Sequence, residues 1–118
     1  MMYLWVFLGG GLGSLSRFGI SRLLTNYNGG FPYATLLSNI LASAILAFLV
    51  YQLPNKSGQE WLPYFLVIGF CGGFSTFSTF SHELVLMLNN AQWIQAFIYL
   101  SVSVLFGVGT IWMISSKI

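Results

Sequence analysis

The sequence predicts an all-α integral membrane protein of four transmembrane helices, the third broken near mid-membrane. Three observations carry that reading. Of 118 residues, 57% are hydrophobic and only 5% charged, whereas a soluble domain uses roughly a quarter charged residues to cover its surface. Polar punctuation divides the chain into apolar stretches, each near the ~20 helical residues that cross a hydrocarbon core about 30 Å thick. The third stretch also contains Gly-Gly-Phe-Ser-Thr-Phe-Ser-Thr-Phe-Ser-His-Glu from Gly72 to Glu83, a run of glycines and hydroxyls that lipid cannot solvate.

The first span runs from roughly Tyr3 to Leu24 and is closed by the loop-forming residues Thr25 to Gly30. The chain begins without the basic stretch of a signal peptide, so its start is read as the span itself. The second, roughly Tyr33 to Leu53, stops at the polar segment Pro54 to Glu60. The third covers roughly Leu62 to Leu88, Asn89 to Gln92 turn the chain, and the fourth runs from about Trp93 to Ser116. Tyr3, Trp5, Tyr33, Tyr51, Trp61, Tyr64, Trp93 and Trp112 fall near these ends, where interfacial aromatics belong.

Composition excludes several functions. One domain of this length leaves no room for a soluble catalytic module. A net charge of +2 is too small for nucleic acid, and the single Cys71 excludes an internal disulfide or a paired-cysteine metal site. With His82 and Glu83 adjacent and no nucleophile–base set in view, the chain does not read as an enzyme. Orientation is undecided: Lys56 and Lys117 fall on one side, Arg17 and Arg22 on the other. Since lysine and arginine bias sets topology, the balance fits either a weak but sufficient preference or insertion both ways with an inverted copy as partner.

Counting inward at about 1.5 Å per residue puts Arg17, Asn39, Glu83 and Tyr99 on one level, about 8–10 Å from one surface. Phe80 lies a turn deeper, and Ser75, Thr76, Ser78 and Ser103 lie near the midplane. Arg17 serves equally as a snorkelling anchor, and Asn39 taken alone as glue between helices. A carboxylate at this depth needs a partner, and Arg17 is the only cation at its level, so an Arg17–Glu83 pair is expected. The cluster Gly9-Gly10-Gly11-x-Gly13 reads as a close-packing face, and Phe70 and Phe74 as core. Gly72-Gly73, followed by hydroxyl and β-branched residues, disfavours continuous helix. Freed carbonyls there suit a cation. The positive ring edges of Phe77 and Phe80 suit a small anion, to which Asn39 could add an amide N–H.

The segments Gly-Gly-Gly-Leu-Gly-Ser-Leu-Ser-Arg (9–17), Ala-Thr-Leu-Leu-Ser-Asn (34–39) and Gly-Phe-Cys-Gly-Gly-Phe-Ser-Thr-Phe-Ser-Thr-Phe-Ser-x-Glu (69–83) strongly resemble the bacterial fluoride channel family, Fluc, also called CrcB. The resemblance covers all four spans in order. It implies a multi-pass protein of the bacterial inner membrane, assembled as an antiparallel dual-topology dimer, that passes fluoride passively and relieves fluoride toxicity. By the same resemblance Asn39, Phe77 and Phe80 face the ion, Ser78 and Thr79 line the pore, and Tyr99 and Ser103 belong to a polar track on the fourth span. Arg17 matches a vestibule arginine and Glu83 a family acid. Gly72 and Ser75 match positions whose backbone carbonyls hold a structural sodium ion at the dimer axis. With this resemblance, inverted pairing becomes the better account of the charge balance.

Two departures stand out. Ala42 replaces a glycine usual in the family, and Gly107 leaves the hydroxyl ladder without a side chain after Ser103. They imply either a tighter, less polar far end of the track or a heterodimer with a paralogue as the alternative to a homodimer. Two other functions compete with the channel. A small four-span multidrug exporter needs an acid buried in the first span, and none lies between Met1 and Leu24. A non-conducting scaffold subunit would use its polar residues only to join helices.

Overall fold

The computed structural model describes residues 1–24, 31–52 and 60–116. Lys56 and Lys117, half of the charge count above, lie outside the described residues, as do the loop 25–30 and most of the polar segment after the second helix. Every regular element among the described residues is helical. In chain order they are α1 (Met2–Leu23), α2 (Tyr33–Gln52), a π-helix (Pro63–Cys71) that runs directly into α3 (Gly72–Phe74), α4 (Phe77–Asn89) and α5 (Trp93–Ser115). Pro63 sits in the first turn of its helix, where its missing N–H is no loss.

Three segments are long and apolar enough to cross a membrane: Tyr33–Tyr51, Pro63–Asn89 and Trp93–Ser115. Helix α1 has comparable length at 22 residues, but its glycines, serines and two arginines dilute its hydropathy. What those glycines provide instead is contact. Gly9 lies against the Phe65 carbonyl, Gly13 against the Phe70 carbonyl and Gly73 against the Gly10 carbonyl, each too closely for a Cβ. A Cβ on Gly69 would stand 2.9 Å from the Val6 oxygen. Helices α1 and the Pro63–Phe74 segment therefore meet backbone to backbone along a seam of glycines four residues apart. Lipid supplies no hydrophobic drive between helices, so such van der Waals contact is what holds them together. Trp5 closes one end of the seam, its ring 4.9 Å from Trp61 and edge-on to Phe65 at 6.2 Å.

Helices α2 and α5 form a second, parallel seam. Phe31 packs edge-on against Tyr99 at 5.4 Å, Thr35 bears on the same tyrosine, and two turns on Ser43 stands beside Gly107. The equal spacing of these contacts sets the register and brings Ser103 level with Asn39. A compact cluster of Phe80, Met87, Ala96 and Tyr99 joins α4 to α5, with Phe31, Leu36 and Leu84 packed against it. The exterior is strongly apolar: Phe7, Leu105 and Trp112 are largely exposed, a surface suited to acyl chains rather than water.

The turn after α4 caps the helix with backbone hydrogen bonds. The Gln92 N–H donates to the Met87 carbonyl at 2.8 Å and the Ala91 N–H to Leu88 at 3.2 Å, the paired bonds of a Schellman motif. Ala91 takes a φ of 60° to make them, a left-handed conformation that favours glycine.

Two predictions follow from this packing. Gly13→Ala forces a methyl into the Phe70 backbone and should lower unfolding stability in detergent by about 1–3 kcal/mol. Gly11→Ala on the same helix, with no heavy atom within 4 Å, should leave the melting temperature nearly unchanged; equal losses in the two would refute the seam. Ala91→Gly should raise the melting temperature, because relief of left-handed strain of about 1–2 kcal/mol exceeds glycine's entropic cost.

Candidate functional site

The site is organised by two residues that leave the helical conformation. Ser75 (φ −85°, ψ 156°) and Thr76 (φ −153°, ψ 119°) are extended between α3 and α4. In an uninterrupted α-helix the Thr76 N–H would bond the Gly72 carbonyl. Here it donates to Asn39 Oδ1 on α2, at 3.0 Å. The Thr76 hydroxyl accepts from the Thr79 N–H at 3.2 Å and so caps α4. Both the N–H and the hydroxyl of Ser75 donate to the Cys71 carbonyl, each at 3.0 Å. Arg17 Nε points at the Gly73 carbonyl from 3.4 Å.

This network orients Asn39. A backbone N–H can only donate, so the amide oxygen must face Thr76 and the NH2 group is turned away from it. The result is a pair of amide donors on α2 beside the hydroxyls that begin α4. The Thr76 and Ser78 hydroxyls are 3.4 Å apart, and Thr79 lines the adjoining cavity.

Phe77 and Phe80 occupy one side of α4, their centroids 6.3 Å apart. They differ in environment: Phe80 is buried at 8% exposure, while Phe77 is 80% exposed on this subunit. Phe80 packs on Tyr99 at 5.0 Å. The Tyr99 ring is wholly buried, and its hydroxyl donates to Glu83 Oε1 at 3.0 Å. Thr35 bears on both the carboxylate and the phenol. Beyond this cluster opens a cavity of about 460 Å³ whose polar lining includes Arg17, Ser21, Thr35, Thr79, Glu83 and Gln92.

The expected direct pairing of Arg17 with Glu83 is not formed within the subunit. Both line the cavity, but the glycine seam carries Arg17 to the C-terminal carbonyls of α3, where a cation is favoured. Glu83 finds Tyr99 instead. The common level expected for Arg17, Asn39, Glu83 and Tyr99 also changes. It is Thr35 that faces Glu83 and Tyr99, whereas Asn39 sits a turn further along α2 at Thr76. Counting from helix ends missed this because α2 starts beside Tyr99, already a turn and a half into α5. Thr35 and Thr76 were thus not picked out as site residues. The signal for Thr35 was its place four residues before Asn39, on the same helix face.

The remaining residues are placed as follows. Ser103 Oγ is buried without a hydrogen-bond partner, level with Asn39. Ser78 is exposed, Ser75 half-buried, and Gly72 exposed at the end of the Pro63–Phe74 segment. Among the described residues there is no group of three or more His, Cys, Asp or Glu side chains that could hold a metal.

Residues 4–114 match the family described as CrcB-like protein, Camphor Resistance (CrcB). The chain is similar to proteins named fluoride-specific ion channel FluC from three organisms. With that of Flavobacterium psychrophilum it is 37% identical over 110 residues, 92% of this chain and 89% of the other. With that of Ignicoccus hospitalis the identity is 38% over 104 residues, covering 88% and 84%. With that of Pyrococcus abyssi it is 44% over 104 residues, covering 86% and 83%.

Replacing Asn39 separates its two roles. Asn39→Ala strands the Thr76 N–H and should cost about 1–3 kcal/mol of unfolding stability. Asn39→Asp keeps an acceptor there and should recover most of that loss in a thermal melt; equal melts for both variants would contradict the assigned bond.

Proposed function

This chain belongs to the CrcB family, and on that premise we propose that it is a fluoride-selective channel passing the ion down its gradient across a bacterial membrane. It is not an enzyme. The observation that carries the proposal is the Asn39–Thr76 bond, which engages the Asn39 oxygen and leaves its NH2 group to donate elsewhere, on a site that also carries the Ser78 and Thr79 hydroxyls and the rings of Phe77 and Phe80. Fluoride is small and strongly hydrated, so its water must be replaced by hydrogen bonds one at a time. Neutral donors do this while still letting the ion leave, which conduction requires. Asn39, Phe77, Phe80, Ser78 and Thr79 form this part of the route, and Tyr99 and Ser103 extend it along α5. Arg17 on the cavity wall raises the local anion concentration, and Glu83, held by Tyr99, lines the same cavity.

The working unit is an antiparallel dual-topology dimer, the third helix of each subunit broken near mid-membrane. Two features support it: a phenylalanine of the ion route, Phe77, lies open on the isolated subunit, and the lysine and arginine count favours neither orientation. A homodimer fits a chain that retains Asn39, Phe77 and Phe80 together, with pairing to a paralogue as the alternative.

A structural sodium ion at the dimer axis fits the donor set. With the Thr76 N–H drawn off to Asn39, the Gly72 carbonyl loses its helical donor, and Gly72 itself is exposed. Unwound carbonyls of this kind are sodium ligands in other membrane proteins. Gly72 and Ser75 would supply them here, and the ion would contribute charge balance to two facing helix ends.

The test is fluoride release from liposomes holding the purified protein, read with a fluoride electrode against a chloride control. Fluoride should leave rapidly and chloride should not. Phe80→Ile keeps an apolar side chain but removes the ring edge, and efflux should fall about tenfold, the upper value of an aromatic-edge contact. Undiminished efflux in that variant would remove the aromatic edge from the mechanism.

A further inference from the structure

Over three successive turns the α2–α5 seam carries a polar group, before Ala47 and Ile111 close the row. Thr35 and Tyr99 meet at its first level. Asn39 and Ser103 share the second, where the Ser103 hydroxyl is buried and lacks a partner. At the third, α5 offers only Gly107. The structure fills that gap from the opposite helix: a Cβ built on Gly107 would stand 3.6 Å from Ser43 Oγ, with no other heavy atom within 4 Å. Ser43 follows Asn39 by four residues and so shares its face of α2.

Resting on the channel reading above, we infer that Ser43 is a further fluoride-coordinating residue, supplying from α2 the hydroxyl that Gly107 cannot supply from α5. The physical need is continuity. An ion leaving the donors at the Asn39–Ser103 level must find the next hydrogen bond roughly one helical turn further on, or regain water it has no room for. Ser43, four residues beyond Asn39, stands about 6 Å along the seam. A hydroxyl at Gly107 would point into the same space, so the two positions are interchangeable sources of one donor. Gly107 has room for the exchange, since 3.6 Å is ordinary van der Waals contact.

Four proteins decide the matter: the unchanged chain, Ser43→Ala, Gly107→Ser, and the double variant Ser43→Ala/Gly107→Ser. Each is reconstituted in liposomes and assayed for fluoride efflux, after equal elution volume and melting temperature show that it folds. Ser43→Ala should lower efflux about tenfold, the loss expected for one hydrogen bond to an ion. The double variant should regain most of the rate, because its hydroxyl returns to the same space from the other helix. An unimpaired Ser43→Ala variant would overturn the inference. So would a double variant as slow as Ser43→Ala, which would mark Ser43 as a packing residue. If the unchanged chain released no fluoride, the channel reading itself would fail, a result separable from both.

Discussion

Inside hydrocarbon a peptide group has no water to fall back on, and this structure is arranged around one place where the helical ladder stops. Ser75 and Thr76 are extended, so an N–H that would close a turn must be satisfied from elsewhere. Asn39 does it from another helix. An unpaired buried donor costs about 1–3 kcal/mol, which makes that bond a fixed point for both α2 and α4. The consequences spread from there. The Thr76 side chain is left to cap α4, the Asn39 NH2 group is aimed away from Thr76, and the Gly72 carbonyl is released.

The glycine seam gives the extended pair its setting. Because α1 and the Pro63–Phe74 segment touch through their backbones, α1 lies close enough for Arg17 to reach the Gly73 carbonyl. A side chain that could have snorkelled outward or paired with Glu83 is instead held against the end of α3. The positive charge thereby stays on the cavity wall, against a carbonyl three residues before the Thr76 N–H that Asn39 accepts. Glu83, left without the arginine, is held by neutral partners, the Tyr99 hydroxyl at 3.0 Å and Thr35. Tyr99 thus joins the aromatic layer, through Phe80, to the acidic rim of the cavity.

The sequence by itself determined that the chain is helical, apolar and built for a membrane, because composition and span length report directly on the solvent a surface can tolerate. It also pointed to the glycine cluster of α1 as a packing face, and singled out Asn39, Phe80, Tyr99 and Glu83, which the structure places in specific polar and ring contacts. Small residues and isolated polar groups in an apolar stretch have few other uses. What only the tertiary structure decided was who meets whom. Arg17 goes to Gly73 rather than Glu83, Thr35 rather than Asn39 faces Tyr99, and Ser43 fills the space beside Gly107. These are matters of helix register and of the depth at which each helix begins. A stretch of hydrophobic residues fixes how long a helix is; its vertical offset against a neighbour is set by where two backbones can approach, and that depends on both partners at once.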